Sequence, residues 1–551
     1  MIKEYKRVTY AENCMGCFAC EVACKQEHNL PVGPRWIRVF PDVRETGGKW
    51  QFTYLVTECH RAATPPCRAA CPAELNIWRY VQLTAVGRFE EALKVIRETT
   101  PFAGVLGYVC TRPCEASCER GNVDVPVAIR SIKAFLADYE LKEGRKKARA
   151  VRKTKKDKVA IVGAGPAGLS CAYDLVRKGY PVTVFEASSK AGGLMRWAIP
   201  DFRLPRNIVD NEISYIEELG VEIKTNTAVK SLDDLFRQGY KAVYLATGCP
   251  VNIRLGIPNE DAEGIVYVLD FLKKVSSGID VKLAGKRVAV IGGGNAAIDA
   301  ARVAKRQGAR EVHLVCLECT DLSSKDRMPA QDYEIHEAEK EGIVFHPCLG
   351  PERFLVKDGK VSGFSVIACT SVREKDGTFL PKYGAPAGTI EAEAVIVAIG
   401  QAVDKEAFKD IDKDRALKVD GFSFKTSREG VFAGGDVVSG PSDIVGAIAA
   451  GKEAAISIVR YLRGEDIRED RIINFRLVNG APLAKTTKQG LVVTLDENLA
   501  LTEARRCLNC GTCVEGLDNG KQPACVSACP AHAIYYHDMW ELTPKAVMYK
   551  L

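Results

Sequence analysis

The stretch from Val159 to Glu186 constrains this chain more than any other. An apolar run, Val159 to Val162, leads into Gly163-x-Gly165-x-x-Gly168, a helical segment follows, and a second apolar run, Val182 to Phe185, stops at Glu186. Strand, tight turn, helix and strand in that order make a dinucleotide-binding unit. Gly163 permits the turn, Gly165 lets backbone approach a pyrophosphate, and Gly168 lets helix pack on strand. Pro166 and Ala167 lie at the helix N-terminus, whose unpaired N–H groups face the phosphates. Glu186, 18 residues after Gly168, stands where an acid holds a ribose hydroxyl.

A chain of 551 residues has room for about three or four domains. Hydrophobic content of 46% and charged content of 27% are ordinary for a soluble protein. No apolar run has membrane-spanning length and no N-terminal signal peptide is evident, so a cytoplasmic location without membrane insertion is expected. The net charge of +7 is concentrated in Lys142 to Lys158, which reads as a solvated basic linker; nucleic acid is not an expected partner.

Cysteine usage is unusual. Of 21 cysteines, ten lie before residue 120 and five between Cys507 and Cys529. In a cytoplasmic chain such clustering points to metal rather than to disulfides. Cys14-x2-Cys17-x2-Cys20-x3-Cys24 has the bacterial-ferredoxin spacing, in which three close thiolates hold one [4Fe-4S] cluster and the fourth serves another. Cys59, Cys67 and Cys71 follow, then Cys110, Cys114 and Cys118. At the far end Cys507, Cys510, Cys513 and Cys529 make a further ferredoxin-type set, with Cys525 left over. Fifteen clustered cysteines imply about four [4Fe-4S] clusters, and at least three. The other six look unremarkable: Cys171 lies on the helix after the first fingerprint, Cys249, Cys316, Cys319, Cys348 and Cys369 are scattered, and the pair Cys316-x2-Cys319 reads as structural.

The segment from Cys71 through CPAELNIWRYVQLTAVGRFEEALKVIRETTPF, GYVCTRPCEASCERG and VPVAIRSIKAF resembles the helical N-terminal domain of the glutamate synthase small-subunit family. By that resemblance Cys59, Cys67 and Cys118 share one cluster, and Cys71, Cys110 and Cys114 the other. Two positions depart from the family. Ala62 stands where it has a cysteine, and Lys133 where some relatives use a Gln or Glu ligand. The run CMGCFACEVACKQEHNLPVGPRW also resembles the four-cluster ferredoxin subunits of molybdenum oxidoreductases, in which Cys71 completes the set of Cys14, Cys17 and Cys20 while Cys24 joins Cys59 and Cys67. The two partitions compete for the same thiols.

Past the linker the resemblance to the small-subunit family continues to about residue 458. AGGLMRWAIPDFRLP, 191–205, is similar to the family's flavin-contacting loop, placing Gly193, Leu194 and Met195 at an FAD. A second fingerprint, RVAVIGGGNAAIDAAR, contains Gly292-x-Gly294-Asn295-Ala296-Ala297. Its following strand ends at Glu318, where NADP(H)-selective members carry paired arginines. A carboxylate about 4 Å from a phosphate is repulsive by roughly 1–4 kcal/mol, whereas it bonds a ribose hydroxyl, so NAD(H) is expected. The turns at Gly248, Gly400 and Gly435-Asp436 complete the flavin side by resemblance, with the helix from Ile444 aimed at the flavin ring.

The expected fold is α/β: two nested Rossmann-like FAD- and NAD-binding domains, a helical iron–sulfur N-terminal domain, and ferredoxin-like terminal segments. The expected boundaries are 1–72 ferredoxin-like, 73–140 helical, 141–157 linker, 158–284 with 385–460 for FAD, 285–384 for NAD, 461–500 linker and 501–551 ferredoxin-like. The resemblance implies an oxidoreductase that carries electrons between NAD(H), FAD and clusters and on to a catalytic oxidoreductase subunit of a hetero-oligomer, expected to be a tungsten or molybdenum enzyme, or to ferredoxin. The alternative is the small subunit of glutamate synthase itself. Hydride transfer needs no acid–base side chain, so no catalytic residue is expected.

Overall fold

Two parallel five-stranded sheets carry the two glycine fingerprints. The structure is a computed structural model that describes residues 5–9, 38–46, 49–57, 65–122, 124–321, 323–374, 377–404, 417–468, 495–507 and 534–538. Of these, residue 122 and the strands at 5–9, 38–46, 49–57 and 534–538 are described by backbone alone.

The first sheet runs Val431–Ala433, Tyr240–Leu245, Lys158–Val162, Val182–Phe185, Glu222–Lys224, all neighbours parallel. Its centre is the apolar run ahead of the first fingerprint, where Val159, Ala160 and Ile161 are fully buried. A parallel strand covered by helices on both faces requires such an unbroken apolar run. The helix Pro166–Arg177 packs so closely on Ile444–Arg463 that a Cβ on Gly451 would stand 2.2 Å from the Ala167 carbonyl oxygen.

The second sheet runs Val344–His346, Glu311–Val315, Arg287–Ile291, Ala394–Val397, Ile265–Tyr267, again parallel. This moves a boundary. Ile265–Tyr267 and Ala394–Val397, expected in the FAD segments, hydrogen-bond into the second sheet. Both are short apolar runs, and periodicity alone does not tell which of two parallel sheets such a strand joins. An antiparallel sheet of Leu349–Lys357, Lys360–Arg373 and Phe379–Glu391 adds to the second domain, with Phe354, Phe364 and Val366 in a shared core with Ile291 and Val395.

The chain divides into two units: 1–99 with 112–142 and 487–551, and 100–111 with 143–486. The helix Ala103–Val109 thus belongs with the dinucleotide domains, not with the helical domain in which it was expected. Its Gly104 and Val105 amides both donate to the Glu212 carboxylate, the latter at 3.1 Å. The basic linker is also not merely solvated. Arg145 forks onto Glu218 at 2.7 and 2.8 Å, Val151 N–H donates to Leu219, and Thr154 and Lys155 N–H both donate to Gly179.

In the other unit, Phe89 meets Phe135 and Tyr139 edge-on and Arg97 pairs with Glu140 at 2.6 Å. Glu503, on the helix Glu497–Arg505, accepts from the Ala128 amide at 2.7 Å, so part of the expected 461–500 linker region ends in a helix docked on the helical domain. Tyr5–Thr9 pairs antiparallel with Ile534–Asp538. The two terminal segments, expected as separate modules, therefore share one small sheet. Among the described residues no helix is long and apolar enough to cross a membrane.

Candidate functional site

The first fingerprint is built by close backbone approach. Gly163, at φ +105°, lies where a Cβ would stand 2.4 Å from the Ala246 carbonyl oxygen. At Gly168 a Cβ would meet the Gly163 carbonyl oxygen at 2.0 Å. Gly165, by contrast, has nothing within 4 Å of where a Cβ would stand, and it precedes the helix Pro166–Arg177 with no side chain capping that end. An uncapped helix N-terminus facing open space suits a pyrophosphate. Glu186 is 8% exposed and accepts from the Ala164 amide at 2.9 Å and the Ser188 amide at 2.8 Å. Both carboxylate oxygens are therefore oriented, beside the glycine turn.

Other predicted residues gather at the same turn. A Cβ on Gly193 would press on Gly165 at 2.8 Å, and one on Gly435 would meet the Ala167 Cβ at 2.8 Å. Met195 is buried, while Leu194 packs against the core of the second domain. Asp436 accepts from the Ser442 hydroxyl at 2.9 Å, and burial pushes its carboxyl up to about 6. Gly248 follows the strand Tyr240–Leu245 in a left-handed turn at φ +66°. Next to it the Thr247 hydroxyl is buried without a hydrogen-bond partner. An orphaned buried hydroxyl beside an open turn fits a site that a polar ligand completes.

The second fingerprint repeats the first. A Cβ on Gly292, at φ +140°, would stand 2.2 Å from the Ala398 carbonyl oxygen, and Gly294 is open to 4 Å. The helix Asn295–Arg306 starts there uncapped, with Ala297 fully buried and Ala296 half-buried. A Cβ on Gly293 would stand 2.5 Å from Glu318 Oε2, so this carboxylate lies against the middle residue of its fingerprint, as Glu186 does in the first. Burial pushes the Glu318 carboxyl up, opposed by its own backbone N–H and by nearby Arg373. Asn295 Oδ1 is engaged by the Gln331 amide at 2.8 Å, so a structural bond already uses that atom. Gly400, at φ +128°, follows the second sheet's strand Ala394–Val397 rather than one of the first sheet.

Several residues here carry no motif. Arg203 bonds Asp299 at 2.5 Å and Glu334 at 2.7 Å, tying the loop after Met195 to helices of the second domain. Burial pushes Asp299 up to about 7, with Arg203 opposing it. Asp443 caps the helix Ile444–Arg463 by accepting from Gly446 at 2.8 Å, so one of that helix's first amides is already taken. An acid directly before an apolar helical run was a readable capping signal.

Of the fifteen predicted metal-binding cysteines, six lie among the described residues: Cys71, Cys110 and Cys114 buried, Cys67, Cys118 and Cys507 partly so. Cys14, Cys17, Cys20, Cys24, Cys59, Cys510, Cys513, Cys525 and Cys529 lie outside them. The short helices Pro66–Ala69 and Pro113–Ala116, carrying Cys67 and Cys114, pack together. Among the described residues no three His, Cys, Asp or Glu side chains are arranged to hold a metal ion. Among the described residues of this unit the buried charged groups are Arg112, Arg130 and Lys133 with Glu115, a cationic set suited to anionic thiolate clusters. Lys133, at the departing ligand position, is 2% exposed beside Glu115.

The family model of the pyridine nucleotide-disulphide oxidoreductases matches residues 157–451. That of dihydropyrimidine dehydrogenase domain II, with a 4Fe-4S cluster, matches residues 37–145. The chain is 41% identical over 432 residues to the NADP(+)-dependent formate dehydrogenase subunit beta of Moorella thermoacetica, covering 73% of this chain but 60% of that one. It is 34% identical to the NADPH-Fe(3+) oxidoreductase subunit beta of Geobacter sulfurreducens, over 81% of this chain and 75% of that one. It is also 34% identical to the glutamate synthase [NADPH] small chain of Escherichia coli, over 79% of this chain and 97% of that one.

Proposed function

On the premise that this chain belongs to the pyridine nucleotide-disulphide oxidoreductase family, we propose that it is the electron-transfer subunit of a larger complex, passing electrons between NAD(H), FAD and [4Fe-4S] clusters. The observation that carries this reading is the paired construction at Gly163 to Gly168 and Gly292 to Ala297: two open, uncapped helix N-termini in one unit, each with a carboxylate laid against its turn. When bound, FAD exchanges an electron pair with nicotinamide and single electrons with clusters. The chain supplies position and electrostatics. Gly165 and Gly294 admit the two pyrophosphates, Glu186 orients one ribose and Glu318 the other. Gly193, Gly435 and Asp436 close over the first turn.

Fifteen clustered cysteines support about four clusters, and the shared sheet of Tyr5–Thr9 with Ile534–Asp538 supports a single ferredoxin-like module drawn from both terminal segments. We assign the partner as a catalytic subunit with molybdenum or tungsten, on the ferredoxin-subunit resemblance and on a formate dehydrogenase subunit among the relatives. Glu318 supports NAD(H). A second reading, NADP(H), is favoured by the nucleotide in the relatives' names and by Arg373 near Glu318. Membership of a glutamate synthase is the alternative assembly; the cysteine sets at 14–24 and 507–529 argue for additional clusters instead.

Purification of the native complex tests the assignment through iron and flavin per chain, molybdenum, tungsten and pterin content, and the identity of what co-purifies. Flavin with at least twelve irons per chain and a metal–pterin subunit is expected for three clusters or more. A glutamine-dependent partner without those metals contradicts it.

A further inference from the structure

Four thiols outside the cluster motifs meet beside Glu318. The Cys348 amide donates to the Glu318 carbonyl at 3.0 Å, and that carbonyl belongs to the peptide leading into Cys319. The Leu349 amide donates to the Cys316 carbonyl at 2.9 Å, and the Cys369 amide to the Cys348 carbonyl at 2.8 Å. Cys316 and Cys369 are buried; Cys348 is exposed and Cys319 partly so. Through that hydrogen bond Cys348 stands one peptide group from Cys319, and a disulfide asks for Cα atoms within roughly 7 Å.

Cys348 also adopts φ +57°, a left-handed conformation uncommon for a residue with a side chain and kept only where the surroundings impose it. Its thiol is pushed up by the burial it has, with Cys319 and Asp326 nearby adding to it.

We propose that Cys319 and Cys348 form a redox-modification site, a thiol pair that a low-molecular-weight disulfide converts into an intramolecular disulfide, weakening nucleotide binding at Glu318. The Cys319 thiolate attacks one sulfur of glutathione disulfide; its S–S bond breaks, one glutathione leaves, and a mixed disulfide stands on Cys319. The Cys348 sulfur then attacks the Cys319 sulfur and displaces the second glutathione. The two cysteine thiols give up two electrons and two protons, which leave as two glutathione thiols. Exposed pairs are the labile kind in such exchange.

The route to the nucleotide is short. Cys319 is gripped from both sides, its amide donating to the Asp326 carbonyl at 2.9 Å and its carbonyl accepting from Met328 at 3.0 Å. The same loop returns to the fingerprint, where the Ala330 amide donates to the Gly293 carbonyl at 3.2 Å. A disulfide from Cys319 to Cys348 draws on the peptide that carries Glu318, whose carboxylate lies against Gly293. Losing one charge-assisted hydrogen bond to the ribose weakens binding roughly tenfold or more.

This effect rests on assigning the second fingerprint to a nicotinamide nucleotide, whereas the disulfide itself does not. The test incubates the whole protein anaerobically with glutathione disulfide, blocks remaining thiols, and maps cross-linked peptides by mass spectrometry beside NADH titrations. A Cys319–Cys348 link, a roughly tenfold rise in the NADH Kd and recovery with dithiothreitol are expected. Cys319→Ser and Cys348→Ser each abolish link and shift while keeping the activity of the reduced protein. No link, a link to Cys369 instead, or a link with unchanged Kd overturns the proposal. A reduced protein that binds neither NADH nor NADPH but still forms the link instead overturns the nucleotide assignment.

Discussion

The Thr111 hydroxyl donates a 2.8 Å hydrogen bond to Oδ2 of Asp443, whose Oδ1 accepts from the Gly446 amide at 2.8 Å. One carboxylate thus caps the helix Ile444–Arg463 and holds the residue next to Cys110. Thr111→Val leaves Asp443 short of one partner, at a cost of about 1 kcal/mol. If Thr111 sets the position of Cys110 against the flavin helix, cluster reduction by NADH slows by roughly fivefold while flavin content is unchanged. Anaerobic stopped-flow absorbance measures both.

Gly163 and Gly292 allow the two proposed nucleotide sites to be tested separately. A methyl group at Gly163 would meet the Ala246 carbonyl oxygen at 2.4 Å, and one at Gly292 the Ala398 carbonyl oxygen at 2.2 Å, each at a backbone angle that side chains rarely adopt. Gly163→Ala is expected to purify with little flavin. Gly292→Ala is expected to keep its flavin, still reducible by dithionite, and to lose NADH-dependent reduction. Flavin quantitation and anaerobic titration with each reductant distinguish them.

Asp436 gives a pH dependence. Burial raises its folded pKa to about 6, above the ordinary carboxylate value, so the folded state binds this proton more tightly than the unfolded one. The stability it contributes is fully present below the unfolded pKa and is lost as pH rises through about 6, on the order of 3 kcal/mol in all. Asp436→Asn is expected to flatten the thermal-midpoint profile between about pH 4 and 6 and to raise the midpoint above about pH 6. An unchanged slope contradicts the assignment.

Glu318 lies against Gly293 at the second fingerprint. Repulsion of a 2′-phosphate by roughly 1–4 kcal/mol predicts a preference for NADH over NADPH of about tenfold to a thousandfold in kcat/KM. Glu318→Arg narrows it. A wild-type preference for NADPH, or an unchanged ratio in the variant, shows that Glu318 does not read the ribose.

The glycine turns were legible because their requirement is steric and local: Gly163 and Gly292 each face a carbonyl that no Cβ tolerates, and Gly165 and Gly294 each face open space. The placement of Glu186 and Glu318 beside their glycine turns was legible from strand ends for the same local reason, and their ribose role belongs to the proposal. Sheet membership was less so. Ala394–Val397 is fully apolar whichever sheet holds it, and only its ladder to Arg287–Ile291 decides. Long-range side-chain bonds had no signal at all: Arg203 to Asp299, Thr111 to Asp443, and Glu212 to the Gly104 amide join residues about 100 or more apart in sequence. The thiols at Cys319, Cys348 and Cys369 looked scattered because strand pairing, not spacing, brings them together.

The proposed role of flavin at the first fingerprint is to join a two-electron nucleotide to one-electron clusters. Anaerobic NADH titration of the native complex, read by flavin absorbance and by electron paramagnetic resonance of reduced clusters, tests it most directly. Flavin bleaching accompanied by cluster signals, with the signals absent from flavin-poor Gly163→Ala yet recovered with dithionite, is the predicted result. Flavin that NADH reduces while the clusters stay silent, or cluster signals that persist without flavin, would contradict it.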